Sequence, residues 1–161
     1  KDLDLIKMDS KELRSEETSS MASKIAKFFQ LRAILKSKQI KFADISKHKY
    51  GGCILDGRDV GTVILPKADF KFFITASIEV RAKRRLLEKN ISCLQDTDVE
   101  CMLQSLIKDI SLRDKSDKSR LLSPLLPAKD AHIIDTSLID ANDLMSIVTK
   151  IIEGKNIKIW Q

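Results

Sequence analysis

Short apolar runs, each leading through a capping residue into a helical repeat, restrict the fold of this chain more than any other feature. Phe70 to Ala76 reads as a buried strand, Ser77 as a cap, and the stretch from about Ile78 through Arg85 to Lys89 as a helix. The same order recurs later: His132 to Asp135 is a strand, Asp140 an N-cap, and the helix that follows stops at Gly154. Cys53-Ile54-Leu55, between Gly52 and Asp56-Gly57, is a third unbroken apolar run of the kind a buried parallel strand produces. Thr97 with Glu100 fits a capping box for a helix from about Asp98 to Ser116, with Cys101, Met102, Leu106 and Ile110 on its apolar side. Strands alternating with helices need crossover connections, so the expected class is α/β, a parallel sheet with helices on both faces.

Upstream, Leu3 to Ile6 reads as a short strand. Glu16 to about Ile45 carries apolar residues at helical spacing through Met21, Ile25, Phe28, Leu31, Ile34 and Leu35. This is a helical arm with room for one break near Phe29, followed by a polar segment, Lys47 to Gly52. The 161 residues suit one domain, able to bury roughly 70% of the unfolded surface without disulfides or a structural metal. No apolar run nears the ~20 residues of a membrane span, and the charged start does not read as a signal peptide. A cytoplasmic, monomeric protein with no membrane partner is expected.

Cys53, Cys93 and Cys101 form an odd set without a Cys-x-x-Cys pair, and His48 and His132 lie far apart, so neither zinc nor any other metal is expected to find ligands here. His48 falls in the polar segment and His132 opens a buried strand; both are read as non-catalytic. The net charge of +6 raises the odds of an anionic ligand. Of 29 basic residues only eight are Arg, so positions that use Arg stand out as places where a planar, five-donor fork is wanted.

Three constellations use those arginines. Asp56-Gly57-Arg58-Asp59-Val60-Gly61-Thr62 follows an apolar run, where open parallel sheets present residues to a ligand crevice; a polar turn of this composition is also an ordinary loop. Arg113, Asp117 and Arg120 fall on one helical stripe, two forks flanking a carboxylate. Asp114 and Lys118 continue the charge around the helix and favour a solvated face instead. Arg81-Ala82-Lys83-Arg84-Arg85 crowds cations that are best tolerated beside an anion. A nucleic-acid patch is the competing reading, but one Trp, one Tyr and six Phe, most of them in core elements, leave little to stack on bases.

Taken together, these motifs resemble the bacterial cytidylate kinases, the CMP/dCMP branch of the nucleoside monophosphate kinases. The likeness runs through Glu12-Leu13-Arg14, Ala22-Ser23-Lys24-Ile25-Ala26 with Arg32, and Leu55-Asp56-Gly57-Arg58-Asp59-Val60-Gly61-Thr62-Val63. It continues through Lys71, Thr75-Ala76-Ser77, Arg81-Ala82, Arg84-Arg85, the Arg113/Asp117/Arg120 stripe and Ile134-Asp135-Thr136. Order and spacing hold over nearly the whole chain.

The resemblance implies a P-loop kinase fold with an NMP-binding arm (1–46), core (47–82 and 130–161) and mobile lid (83–122). It implies that Ser23, Arg32 and Asp59 read cytosine, that Arg58 takes the monophosphate, and that Arg113, Asp117 and Arg120 take the sugar and phosphate of the acceptor. Arg58, Arg113 and Arg120 would be catalytic, and Arg84 and Arg85 would bind the ATP phosphates. The reaction implied is transfer of the ATP γ-phosphoryl to CMP or dCMP, giving CDP or dCDP and ADP. All five glycines lie from Gly51 onward, so a Gly-rich phosphate loop with its Lys and Mg²⁺-binding Ser/Thr is expected upstream of Lys1. The chain by itself is then expected to be inactive, with Mg²⁺ held mainly by that segment and by phosphates. A kinase for another monophosphate such as UMP, or a noncatalytic basic module binding nucleic acid, are the alternatives.

Overall fold

A computed structural model describes Thr18, Met21, Ala22, Ile25 and residues 28–88, 96–119 and 124–155. The described residues fall into two compact units divided after Leu55. The expected strand Leu3–Ile6 lies outside them.

The first unit is dominated by α1 (Phe29–Tyr50). Thr18, Met21, Ala22 and Ile25 are also helical, and the break foreseen near Phe29 falls at Phe28, whose extended backbone (φ −79°, ψ 113°) separates the two helical stretches. Lys47–Tyr50, expected as a loop, is instead the last turn of α1. Lys47 and Lys49 place positive groups at the carbonyl end of the helix dipole, so the polar residues extend the helix. His48 therefore sits on a helix. Gly51 ends α1 in the left-handed region (φ 81°), its N–H donating to the Lys47 carbonyl at 3.1 Å. The strand expected at Cys53–Leu55 is not formed: Ile54 is 99% exposed, and no described strand pairs with this run. An apolar run becomes a strand only where a neighbouring ladder satisfies its backbone.

In the second unit β1 (Phe72–Thr75) and β2 (His132–Asp135) pair in parallel, with Phe72 opposite His132 and Thr75 opposite Asp135. The crossover between them carries α2 (Ile78–Glu88) and α3 (Asp96–Lys118), and α4 (Ala141–Glu153) follows β2. This is the expected α/β class. Ser77 Oγ accepts from Val80 N at 3.2 Å, as a cap should. Asp140 and Asp143 form a reciprocal capping box on α4. α3 already includes Asp96, so the expected Thr97 box does not start it; Glu100 instead accepts from Gln104 Nε2 at 2.8 Å.

α2 and α3 pack on each other through Ala82, Leu106 and Ile110, all buried, flanked by Ile78, Leu86, Leu103 and Ile107. Burial of Leu106 and Ile110 contributes about 1.5–3 kcal/mol each. The buried face follows the 3.6 repeat through 103, 106, 107 and 110. Cys101 falls off that stripe and is exposed, contrary to the sequence expectation. Among the described residues no helix is long and apolar enough to cross a membrane.

Candidate active site

The Asp56–Thr62 motif folds into a polar turn that runs into a π-helical turn, Val60–Ile64. The Asp59 carbonyl accepts from Val63 N (2.8 Å) and Ile64 N (3.3 Å), and the Val60 carbonyl from Leu65 N (2.7 Å). Thr62 Oγ1 also donates to the Asp59 carbonyl at 3.3 Å. Such wide turns are rare and concentrate at functional sites. At Gly57 an added Cβ would meet Val60 Cγ2 at 2.8 Å, so a side chain there would force Val60 to shift. Arg58 and Asp59, both half-buried, are thus carried on a turn fixed by its own backbone.

Arg58 lines a cavity of about 220 Å³ together with Arg81, Arg84, Arg85, Ile110, Arg113 and Asp114. The three arginine constellations of the sequence meet here: the turn supplies one guanidinium, α2 three and α3 one. Arg58 Nη1 is ion-paired with Asp117 Oδ2, and the Asp117 side chain, on α3, is only 1% exposed. Arg81 binds Asp114 through both fork nitrogens (3.2 and 2.7 Å), while its Nε donates to the Ala76 carbonyl at 3.1 Å. Arg84 donates to Thr136 Oγ1 (2.9 Å), the Thr136 carbonyl (2.6 Å) and the Ile139 carbonyl (3.2 Å). Arg85 lines the cavity with no hydrogen bond or ion pair among the described residues. Five guanidinium groups around one small volume repel each other, and an anion between them relieves that repulsion.

The strand ends beside this cavity are knit together. Thr136 N and Thr136 Oγ1 donate to the Thr75 carbonyl at 2.8 and 3.0 Å. Asp135 Oδ1 accepts from Ser137 N (2.8 Å) and Ser137 Oγ (2.5 Å), and Ser137 Oγ accepts from Ser77 N (2.8 Å). The bonds from Ser137 hold the Asp135 carboxyl below the ordinary carboxylate range.

Of the residues singled out in the sequence, Arg58, Arg84, Arg85 and Arg113 share the cavity wall, and Asp117 stands behind Arg58. Asp59 is on the turn but not on the wall, and Arg32 is half-buried in α1 of the first unit. Ser23 and Arg120 lie outside the described residues. Sequence reasoning missed Asp114, which it took as a sign of a solvated face and which in fact clamps Arg81. Thirty-three positions separate the two, and local spacing carries no signal over that distance.

Residues 6–154 match the family model described as cytidylate kinase. The chain is 42% identical over 131 residues to a protein of Acidiphilium cryptum named cytidylate kinase, covering 81% of this chain and 57% of that one. It is 40% identical over 151 residues to the cytidylate kinase of Rickettsia akari, covering 93% and 65%. With the cytidylate kinase of Desulforamulus reducens it shares 40% identity over 146 residues, covering 90% and 61%. The chain thus spans 57 to 65% of the length of these relatives.

Proposed function

The chain belongs to the cytidylate kinase family, and from that membership we propose that its residues hold the nucleotides during transfer of the ATP γ-phosphoryl to CMP or dCMP. The observation that carries this reading is the cavity whose wall draws five of the eight arginines of a lysine-rich chain. Planar forks match phosphate oxygens two at a time, which ammonium groups do not.

Arg58 and Arg113, with Arg120, take the phosphate and sugar of the acceptor. Asp117, buried behind Arg58, serves the acceptor site by orienting that guanidinium. Asp59 reads the cytosine amino group: a carboxylate accepts from N4, and the carbonyl oxygen of uracil at that position would repel it. Arg85 is the better placed of the two adjacent arginines to meet the ATP phosphates, because Arg84 already serves three protein oxygens. As the γ-phosphoryl passes from ADP oxygen to CMP oxygen, charge spreads over its equatorial oxygens. Guanidinium groups already in place stabilise that charge without reorganising.

Mg²⁺, when it accompanies the nucleotide, offsets phosphate charge. Among the described residues no group of three or more His, Cys, Asp or Glu could hold a metal ion, and the steps above are placed on the side chains themselves. The test is CMP-dependent release of ADP from ATP by the full-length protein, across CMP, dCMP and UMP. CMP or dCMP is expected to be preferred. UMP turned over faster than CMP would refute the role of Asp59, and a salt-sensitive RNA shift without any turnover would refute the kinase reading.

A further inference from the structure

We infer that Lys71 is a positioning residue that sets where the Arg58–Asp59 turn stands, an inference that rests on the acceptor-site reading above. Lys71 immediately precedes β1 and is only 9% exposed. Its carbonyl accepts from His132 N at 2.8 Å, at the first rung of the β1–β2 ladder. The ammonium makes three contacts, to the Pro66 carbonyl (2.6 Å) and to both oxygens of Asp130 (2.8 and 2.7 Å). An ammonium has three donors, and here all are used, which is the condition for burying such a group at tolerable cost.

Two further observations tie this brace to the turn. Pro66 lies two residues beyond the π-helical turn, so the ammonium holds the turn's downstream end. At Gly61, inside the turn, an added Cβ would stand 3.3 Å from Lys71 Cδ and 3.4 Å from Cγ, so the turn rests against the aliphatic stem. The stem limits how far the turn can sink and the ammonium limits how far it can lift. Arg58 and Asp59 sit at the upstream end of this segment, with the Asp59 carbonyl as its first acceptor. Lys71 touches no substrate in this scheme; it acts through the turn.

The test uses the full-length protein and compares wild type with Lys71→Met, which keeps most of the stem and deletes the ammonium. A second variant, Asp130→Asn, sits on an exposed side chain (64%) and weakens the same pair with little risk to folding. Hydrogen exchange of residues 57–65 is expected to speed up about tenfold in Lys71→Met, and less in Asp130→Asn, while α4 exchanges as in wild type. Kinetically, KM for CMP rises about tenfold or more and the preference for CMP over UMP shrinks, whereas KM for ATP stays within about twofold. Unchanged exchange in residues 57–65 would overturn the inference whether or not the protein turns CMP over. So would equal losses for both nucleotides, the mark of a merely destabilised protein. Wild-type protein inert toward CMP, with exchange in residues 57–65 faster in the variants, would leave the brace standing and refute the acceptor-site reading.

Discussion

α1 and the α2–α3 pair are both helical, yet they are held by different means. In α1 only Ala43 and Ser46 are buried over 22 residues, its first residue has no side-chain cap, and Phe29, Ile34, Leu35, Phe42 and Ile45 are each at least half exposed. α2 and α3 bury Ala82, Leu106 and Ile110 against each other, and their charged faces are tied down by Arg81–Asp114 and by Arg58–Asp117 from the turn. Among the described residues the first buries little, whereas the second is fixed by tertiary contacts. A site that must hold guanidinium groups within a fraction of an ångström belongs on the second kind of structure.

The sharpest way to break this contrast is Arg58→Ala, which removes a wall residue and leaves the buried Asp117 carboxylate without its partner on the turn. CMP-dependent kcat/KM of the full-length protein is expected to fall about 10²–10³-fold. A loss under tenfold would mean that the turn is not part of the site. Next is a matched pair of core deletions read by urea unfolding. Leu106→Ala is expected to cost about 2–5 kcal/mol and Phe42→Ala about 0.5 kcal/mol or less. Equal losses would erase the distinction between the two regions.

Gly51→Ala probes α1 where its ending depends on backbone conformation alone. Forcing an alanine to φ 81° is expected to cost about 1–2 kcal/mol in the same unfolding assay, without shifting KM for CMP by more than about twofold. The smallest effect concerns acid. The hydrogen bond from Lys71 holds the Asp130 carboxyl below the ordinary carboxylate range. A carboxylate depressed on folding stabilises fully above its unfolded value, about 3.9, and that contribution is lost as pH falls through the lower folded value. Asp130→Asn should therefore lower Tm slightly at pH 7, with the gap from wild type closing in more acidic buffer. A gap that widened toward low pH would contradict the pairing.

Elements whose signals are local were readable in advance. β2 matches its expected limits, Ser77 and Asp140 cap the helices they were expected to cap, and the arm breaks at Phe28, one residue from the expected point. Cys53–Leu55 was misread because an apolar run states a wish for burial and says nothing of a partner strand. Lys47–Tyr50 was misread because its residues are polar, although their charge suits a helix end. The turn and the two arginine groups were each visible alone, but their meeting was not. Arg84 reaches Thr136 across 52 positions, and nothing in either neighbourhood announces the other. Lys71 gave one hint, a lone cation between Phe70 and Phe72, that a buried acceptor would be waiting for it.

The cavity's five guanidinium groups, set against the carboxylates of Asp114 and Asp117, leave a surplus of three positive charges in one corner of the molecule. Its reach into solvent shrinks with electrolyte, to about 10 Å at 0.1 M ionic strength. Capture of an anion should therefore be fastest in dilute buffer and slow as salt is added, whereas escape, governed by short contacts inside the pocket, should respond far less. In a crowded cell the same corner would collect whatever polyanion arrives first, so selectivity has to come from neighbours that read the rest of the ligand.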